Sequence, residues 1–234
     1  IYHYFILPTD GKHNDDKKSA SETLKELWEV LKEFVQKAHI IYYILFIIIY
    51  RLAEGFVMKV VPLFLHDPVS QGGLGLSNEQ IGTYYGTFGA AAFVVGSILG
   101  GNVIARFGLK RVLFVLALIF NLPFLVYTFL AIYQPSSLWL IGGGIVIEYF
   151  GYGFGFVGLT MFMMHQIAPG KNQMSHYAIA SGIMNLSVMV TGMSSGKLTT
   201  LLGYEGFFLF VLIFIIPALL ITWFVPFTYP DKKQ

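Results

Sequence analysis

Residues 138–164 read LWLIGGGIVIEYFGYGFGFVGLTMFMM, and within them Gly153, Gly155 and Gly158 spell G-x-G-x-x-G. After a strand and at the opening of a helix, that pattern cradles a nucleotide phosphate. Here mostly apolar residues precede it and LTMFMM follows, with no strand-turn-helix context. A stretch this long and apolar is a membrane-spanning helix, since about 20 such residues cross the hydrocarbon core and lipid tolerates no open sheet edge. Glycine then has another use: between helices in lipid, small residues let backbones approach closely. Gly144, Glu148, Gly151 and Gly155 fall on one face, and the pairs Gly82/Gly86, Gly96/Gly100 and Gly192/Gly196 repeat the device.

The whole chain agrees with a lipid solvent. Of its 234 residues, 56% are hydrophobic and 12% charged, where a soluble domain carries about 25% charged residues. Mean hydropathy is +0.67. A net charge of +2 gives no argument for nucleic acid. With no Cys, disulfides, thiolate catalysis and Cys-based metal sites are excluded. The chain starts Ile1-Tyr2-His3-Tyr4, without Met or a basic n-region, so we read no signal peptide and expect a segment from the middle of a longer protein.

Working outward, six spans are predicted: 40–65, 80–104, 112–133, 138–164, 177–202 and 206–227. Short loops make consecutive helices antiparallel neighbours. Lys12, Lys17, Lys18, Lys25, Lys32 and Lys37 precede the first span. Arg106, Lys110 and Arg111 follow the second, Lys171 the fourth, and Lys232 and Lys233 the last. The opposite turns, 66–79, 134–137 and 203–205, hold no Lys or Arg. Both ends of the segment are therefore expected on the cytoplasmic side.

Residues 1–8 (IYHYFILP) are expected to end a preceding transmembrane helix, and 9–38 to form a cytoplasmic linker. Its first part, 9–18, is too polar to pack. Ser19-Ala20-Ser21-Glu22 is a capping-box signature opening an amphipathic helix over 20–38. Leu24, Leu27, Leu31, Phe34, Val35 and Ala38 form its stripe. It is too short and charged to span, and either lies at the membrane interface or pairs with another helix. The bundle occupies 39–228 and a cytoplasmic tail 229–234.

Charges at membrane depth mark sites by default. In the first span, Arg51 and Glu54 are three apart on one face, continued by Met58 and Pro62. Two readings stand: an ion pair that locks the helix, or a protonatable carboxylate tuned by Arg51 and burial, the part a proton-coupled carrier needs. Glu148 lies on the glycine face of the fourth span, as a structural hydrogen-bonding group or in a solute or proton path. Asn185 shares a small, polar stripe with Ala178, Ser181, Gly182 and Gly192. Lys59 flanks the Arg51 face, placed to meet an anionic solute. Asn121-Leu122-Pro123 breaks the third span. His66, His165 and His176 sit at helix ends as interfacial polar residues. No metal-ligand spacing and no nucleophilic triad occur within a span, so neither an enzyme nor a cofactor or metal is expected.

The turn from Gly101 to Arg111, GNVIARFGLKR, resembles the cytoplasmic loop motif of the major facilitator superfamily, G-x-x-x-D-R-x-G-x-K/R-R, through Gly101, Arg106, Gly108, Lys110 and Arg111. It departs at Ala105, where the pattern has Asp. Within that superfamily, Tyr50-Arg51-Leu52-Ala53-Glu54-Gly55-Phe56-Val57-Met58 resembles the Y-K-L-x-D-x-F-x-M of AmpG-type muropeptide permeases, with charge kept at both positions. Glu148 with Gly153 and Gly155 resembles their E-x-x-x-x-G-x-G, and the 176–181 stretch their Q-F-A-L-L-S.

The resemblance implies an all-α membrane protein: six transmembrane helices forming one half of the major facilitator fold, the C-terminal one, after a cytoplasmic amphipathic linker helix. It implies a secondary active transporter of a bacterial inner membrane, a proton symporter importing a sugar-peptide conjugate such as anhydromuropeptide by alternating access. Glu54 and Arg51 would couple the proton. Glu148, Asn185, Tyr50 and Lys59 would meet the solute. The 101–111 loop would gate, and Gly144, Gly151, Gly155, Gly192 and Gly196 would pack helices. Its partners would be an N-terminal six-helix half, lipid, a small organic solute and protons. A facilitator or antiporter of the same fold for another solute is the first alternative, and a non-transporting membrane receptor or scaffold the second.

Overall fold

The computed structural model describes residues 20–230. The expected helix end over 1–8, the polar stretch 9–18, Ser19 of the capping box, and Lys232 and Lys233 of the tail lie outside the described residues. Among the described residues every regular element is helical. The chain divides into two compact units, one ending at Gln36 and one starting at Lys37.

In the first unit, α1 (Ala20–Val35) carries Glu22 in its first turn and Lys32 in its last, complementing the helix dipole at both ends. Leu24, Leu27, Trp28 and Leu31 line its exposed surface. It stops three residues short of the predicted end. His39 beyond it adopts a left-handed conformation at φ 58°, which no helix continues.

The second unit holds five helical runs long and apolar enough to cross a membrane: Ile40–His66, Asn78–Phe107, Leu109–Tyr133, Leu138–Ile167 and Gln173–Trp223. It is a multi-pass membrane architecture. The sequence predicts six spans, and the difference lies in the last run. Its 51 residues would make a straight helix of about 75 Å, over twice the thickness of the hydrocarbon core. Gly203 interrupts it at φ 67°, ψ 174°, a conformation only glycine reaches cheaply. Before this point the chain climbs the first span: Ser187 Oγ donates to Ile48 O at 3.3 Å, and Gly192 lies against the Lys59 stem; directly past it, Tyr204 Oη meets Asp67 at the end of that span. After it the contacts run back, with Phe208 on Phe64 at 5.0 Å, Phe214 on Phe56 at 5.2 Å and Tyr42 Oη donating to Ile221 O at 2.9 Å. The predicted fifth and sixth spans are thus one run folded back on itself at a single residue.

The first span is α2 (Ile40–Tyr50) and α3 (Leu52–His66), joined at Arg51, whose ψ of 5° departs from helix. The second is α4 (Asn78–Ile81), a π-helical stretch Gly82–Phe88 and α5 (Gly89–Phe107). Ser77 and Gln80 cap α4 reciprocally. The third is α6 (Leu109–Asn121) and α7 (Phe124–Tyr133), broken at Leu122-Pro123 as the sequence predicts. Proline supplies no N–H for the ladder. Asn121 Nδ2 donates back to Ala117 O at 2.9 Å. The fourth is α8 (Leu138–Phe162), ending in a π-helical turn Met163–Ile167. The last run is α9 (Gln173–Ile213) and α10 (Ile215–Trp223).

Glycine makes α8 a shared wall. A Cβ at Gly153 would stand 2.1 Å from Phe93 O of α5, and Gly96 of α5 would likewise meet Phe150 O at 2.3 Å. On the other side a Cβ at Gly155 would lie 2.5 Å from Leu116 O, and at Gly151 2.6 Å from Ile119 O, both of α6. A Cβ at Gly144 would lie 2.6 Å from the Val126 side chain of α7. Gly192 lies against the stem of Lys59 at 3.1 Å. Gly196, Gly82 and Gly86 are different: a Cβ there meets nothing within 4 Å. Among the described residues nothing approaches them, so the packing expected of these three is not made within this part of the chain.

The helix ends gather at two poles. At one, Lys37 Nζ donates to Pro169 O, Tyr43 Oη pairs with Thr228 at 2.6 Å and Lys110 stands 6.0 Å over the Phe227 ring. At the other, Tyr204 meets Asp67 and Gln134 donates to Gly73 O at 3.3 Å. The first pole carries Lys37, Arg106, Lys110, Arg111 and Lys171, which the charge pattern assigns to one side.

Candidate functional site

Arg51 and Glu54 are brought together by the helix itself. Arg51 donates from Nε to one Glu54 oxygen and from its terminal nitrogen to the other, a bidentate pair three residues apart. Both residues are buried, at 4% and 5% exposure. The Phe156 ring of α8 lies 5.1 Å from the guanidinium carbon, an attraction strengthened by the lack of water.

Glu148 is also buried, and its recorded partner is a neutral one: Tyr127 Oη of α7 donates to Oε2 at 3.0 Å. The two carboxylates line one small cavity of about 40 Å³ with Tyr85, Tyr149, Tyr152 and Met58. That holds a few waters at most, a water requiring some 10–15 Å³ by the same measure. It can shelter exchangeable protons and cannot admit an organic solute.

Lys59 and Asn185 stand elsewhere, exposed on the chain's surface along an open groove of about 340 Å³ with Met58, Met189, Gly192 and Met193. Lys59 lies some two helical turns inside the end of its span. A cation at that depth needs an anion or a water-filled space. The solute-binding set expected from the sequence therefore splits between two compartments. Tyr50 belongs to neither. It is fully buried among Phe46 and Phe120, and its hydroxyl donates to Gly155 O at 2.8 Å. We correct its expected role: it struts α2 against α8.

In the 101–111 loop, Gly108 turns the chain between α5 and α6 at φ 81°, ψ 144°. Lys110 and Arg111 line a recess with Trp223 and Phe227 at the base of the last span. Gly101 faces open space, and Arg106 is exposed in the last turn of α5. His176 is buried, contrary to its expected interfacial place. Among the described residues no three His, Asp or Glu side chains gather as a metal site.

Sequence reasoning missed Tyr127, Tyr85 and Gln166. Tyr152 was missed too, although it sits four residues after Glu148, a helical spacing that could have pointed to it. Gln166 is buried, and its side chain grips the segment after the last span: Nε2 donates to Tyr229 O at 2.8 Å, and Oε1 accepts from Thr228 N at 2.8 Å and Tyr229 N at 2.9 Å.

The sequence that builds these helices and this cavity matches the family model described as Major Facilitator Superfamily over residues 14–234. The chain belongs to the major facilitator superfamily. It is similar to two Rickettsia conorii proteins named "Putative transporter AmpG 1" and "AmpG 4". The first is 25% identical over 94% of this chain and 50% of its own length. The second is 26% identical over 81% of this chain and 44% of its own length. An uncharacterized protein of Haemophilus influenzae is 24% identical over 88% of this chain and 49% of its own. The chain thus spans about half the length of the curated relatives it matches. Membership places the chain in a superfamily of membrane transporters.

Proposed function

We propose that this chain is the C-terminal half of a proton-coupled importer of sugar-peptide conjugates, of which anhydromuropeptide is the leading candidate. It works by alternating access in a bacterial inner membrane, with both ends of the segment cytoplasmic. The observation that carries the reading is the pair of buried carboxylates, Glu54 and Glu148, facing one water-sized cavity at membrane depth. It is supported by the likeness to relatives named AmpG and by the basic residues at one pole. Solute binding in this architecture lies between two pseudosymmetric halves near the bilayer midplane. An N-terminal half of six helices would complete the site.

In the mechanism, Glu54 accepts a proton and releases Arg51, which changes the relative stability of outward- and inward-facing states. Glu148, beside the same cavity, takes part in the proton path, which replaces the solute contact expected of it from the sequence. Lys59 meets an anionic group of the solute and Asn185 a polar one. The basic 101–111 turn gates the cytoplasmic side, and the glycine contacts of α8 are the planes along which helices slide. A facilitator of the same fold is the second reading. The bidentate Arg51–Glu54 pair favours it, being internal to one helix and thus able to serve as a lock alone.

The test is uptake of labelled anhydromuropeptide by the full-length protein in proteoliposomes, with and without an inward proton gradient. Gradient-dependent uptake that Glu54→Gln abolishes is the expected result. Uptake by that variant that follows the gradient like wild type removes the coupling role of Glu54. Gradient-independent uptake leaves the facilitator. No uptake by folded protein removes the muropeptide.

A further inference from the structure

Met58 is the one side chain that the carboxylate cavity and the open groove have in common. Helix geometry explains why. It stands four residues after Glu54, on that residue's face, and next to Lys59, so it straddles the border between the two. Polar groups stand on both sides of it: Glu54 and Glu148 behind, Lys59 and Asn185 in front. The barrier itself is apolar, a thioether on three rotatable bonds that adapts to whatever packs against it. Among the α3 residues lining the cavity it is also the exposed one. Met58 is 44% exposed, while Val57 and Val61 are buried.

We infer that Met58 is the partition between the proton compartment and the solute compartment, and that its side chain keeps water in the groove from the carboxylates. The inference rests on the proton-coupled reading above and deepens it. A carrier that binds proton and solute in adjoining spaces leaks protons unless something closes the passage between them. With the side chain present, the cavity holds only a few waters. With it gone, cavity and groove merge, and a water file can reach Glu54 without solute. Solute seated in the groove packs onto the thioether and holds it in place, so occupancy of one compartment seals the other. Met58 thus acts through Glu54 and Glu148, as a positioning residue.

The test is proton entry into proteoliposomes containing the full-length protein, read by an enclosed pH-sensitive dye, with an inward proton gradient and no solute. Met58→Ala should raise solute-free proton entry several-fold over wild type. Met58→Leu, which restores the bulk, should stay near wild type and serves as the control for folding. In Met58→Ala, added anhydromuropeptide should no longer stimulate proton entry. Solute-free entry in Met58→Ala equal to wild type overturns the partition, as does an equal rise in Met58→Leu. The outcome is separable from the proposed function. If wild type shows no solute-linked proton entry, the symport reading fails, while solute-free entry in Met58→Ala against Met58→Leu still decides the role of Met58.

Discussion

Glu54 and Glu148 face one cavity but are held in opposite ways. Glu54 is balanced by a cation three residues away in the same span, at the junction of α2 and α3, with the Phe156 ring of α8 beside it. Glu148 takes its hydrogen bond from Tyr127, a residue of a different span. A shift of α7 against α8 changes the surroundings of Glu148 and leaves the Arg51–Glu54 pair intact. One carboxylate is thus insulated from a shift of α7 and the other reports it.

Breaking the insulated side should have the largest effect. Arg51→Gln strands a buried carboxylate, and removing one partner of a buried pair costs about 3–5 kcal/mol. The melting temperature in detergent should fall sharply. The double variant Arg51→Gln with Glu54→Gln should recover most of the loss, because no charge is left uncompensated. Equal melting of single and double variants would mean that the pair does not balance itself. Next comes Gly155→Ala, which drives a methyl toward Leu116 O and Phe120. Overpacking of this kind costs about 1–3 kcal/mol, and it should displace α8 and so the surroundings of Glu148 selectively. Gly196→Ala, with open space around it, is the matched control and should stay within about 0.5 kcal/mol of wild type. An equal drop in both would remove the close-packing account of α8.

The smallest of the three is the reporting side. Tyr127→Phe leaves the Glu148 carboxyl without its hydroxyl donor, a loss of about 1–2 kcal/mol. In transport assays it should alter uptake at a step Glu54→Gln does not touch, read as a separate change in KM or kcat. Indistinguishable kinetics for Tyr127→Phe and wild type would mean that the hydroxyl does not tune Glu148.

Much of this arrangement was legible in the residue order. The spans were, because lipid forces every backbone group to pair within its own helix and the chain must supply the apolar length. The Asn121-Leu122-Pro123 break and the Arg51–Glu54 pair were as well, being local: one follows from a missing N–H, the other from a three-residue spacing. What was not legible lies across helices. Tyr127 and Glu148 meet over a separation of 21 residues, and Tyr50 and Gly155 over 105. Nothing in a single chain's periodicity says which faces will oppose each other. The glycine pairs teach the same lesson. Gly96 and Gly196 look alike in sequence, yet one is pressed against Phe150 and the other stands open.

The single-residue reversal at Gly203 also bears on how the protein is made. With no loop to hold them apart, the arms on either side of it are expected to settle in the bilayer together. The first would have to wait at the insertion machinery until the second emerged, and the two would enter as one hairpin. Insertion of these two arms is therefore expected as a paired step. A stretch of hydrophilic residues added at that turn would split the step in two, leaving 173–202 to insert on its own hydrophobicity, interrupted as it is by Asn185, Lys197 and a run of serine and threonine.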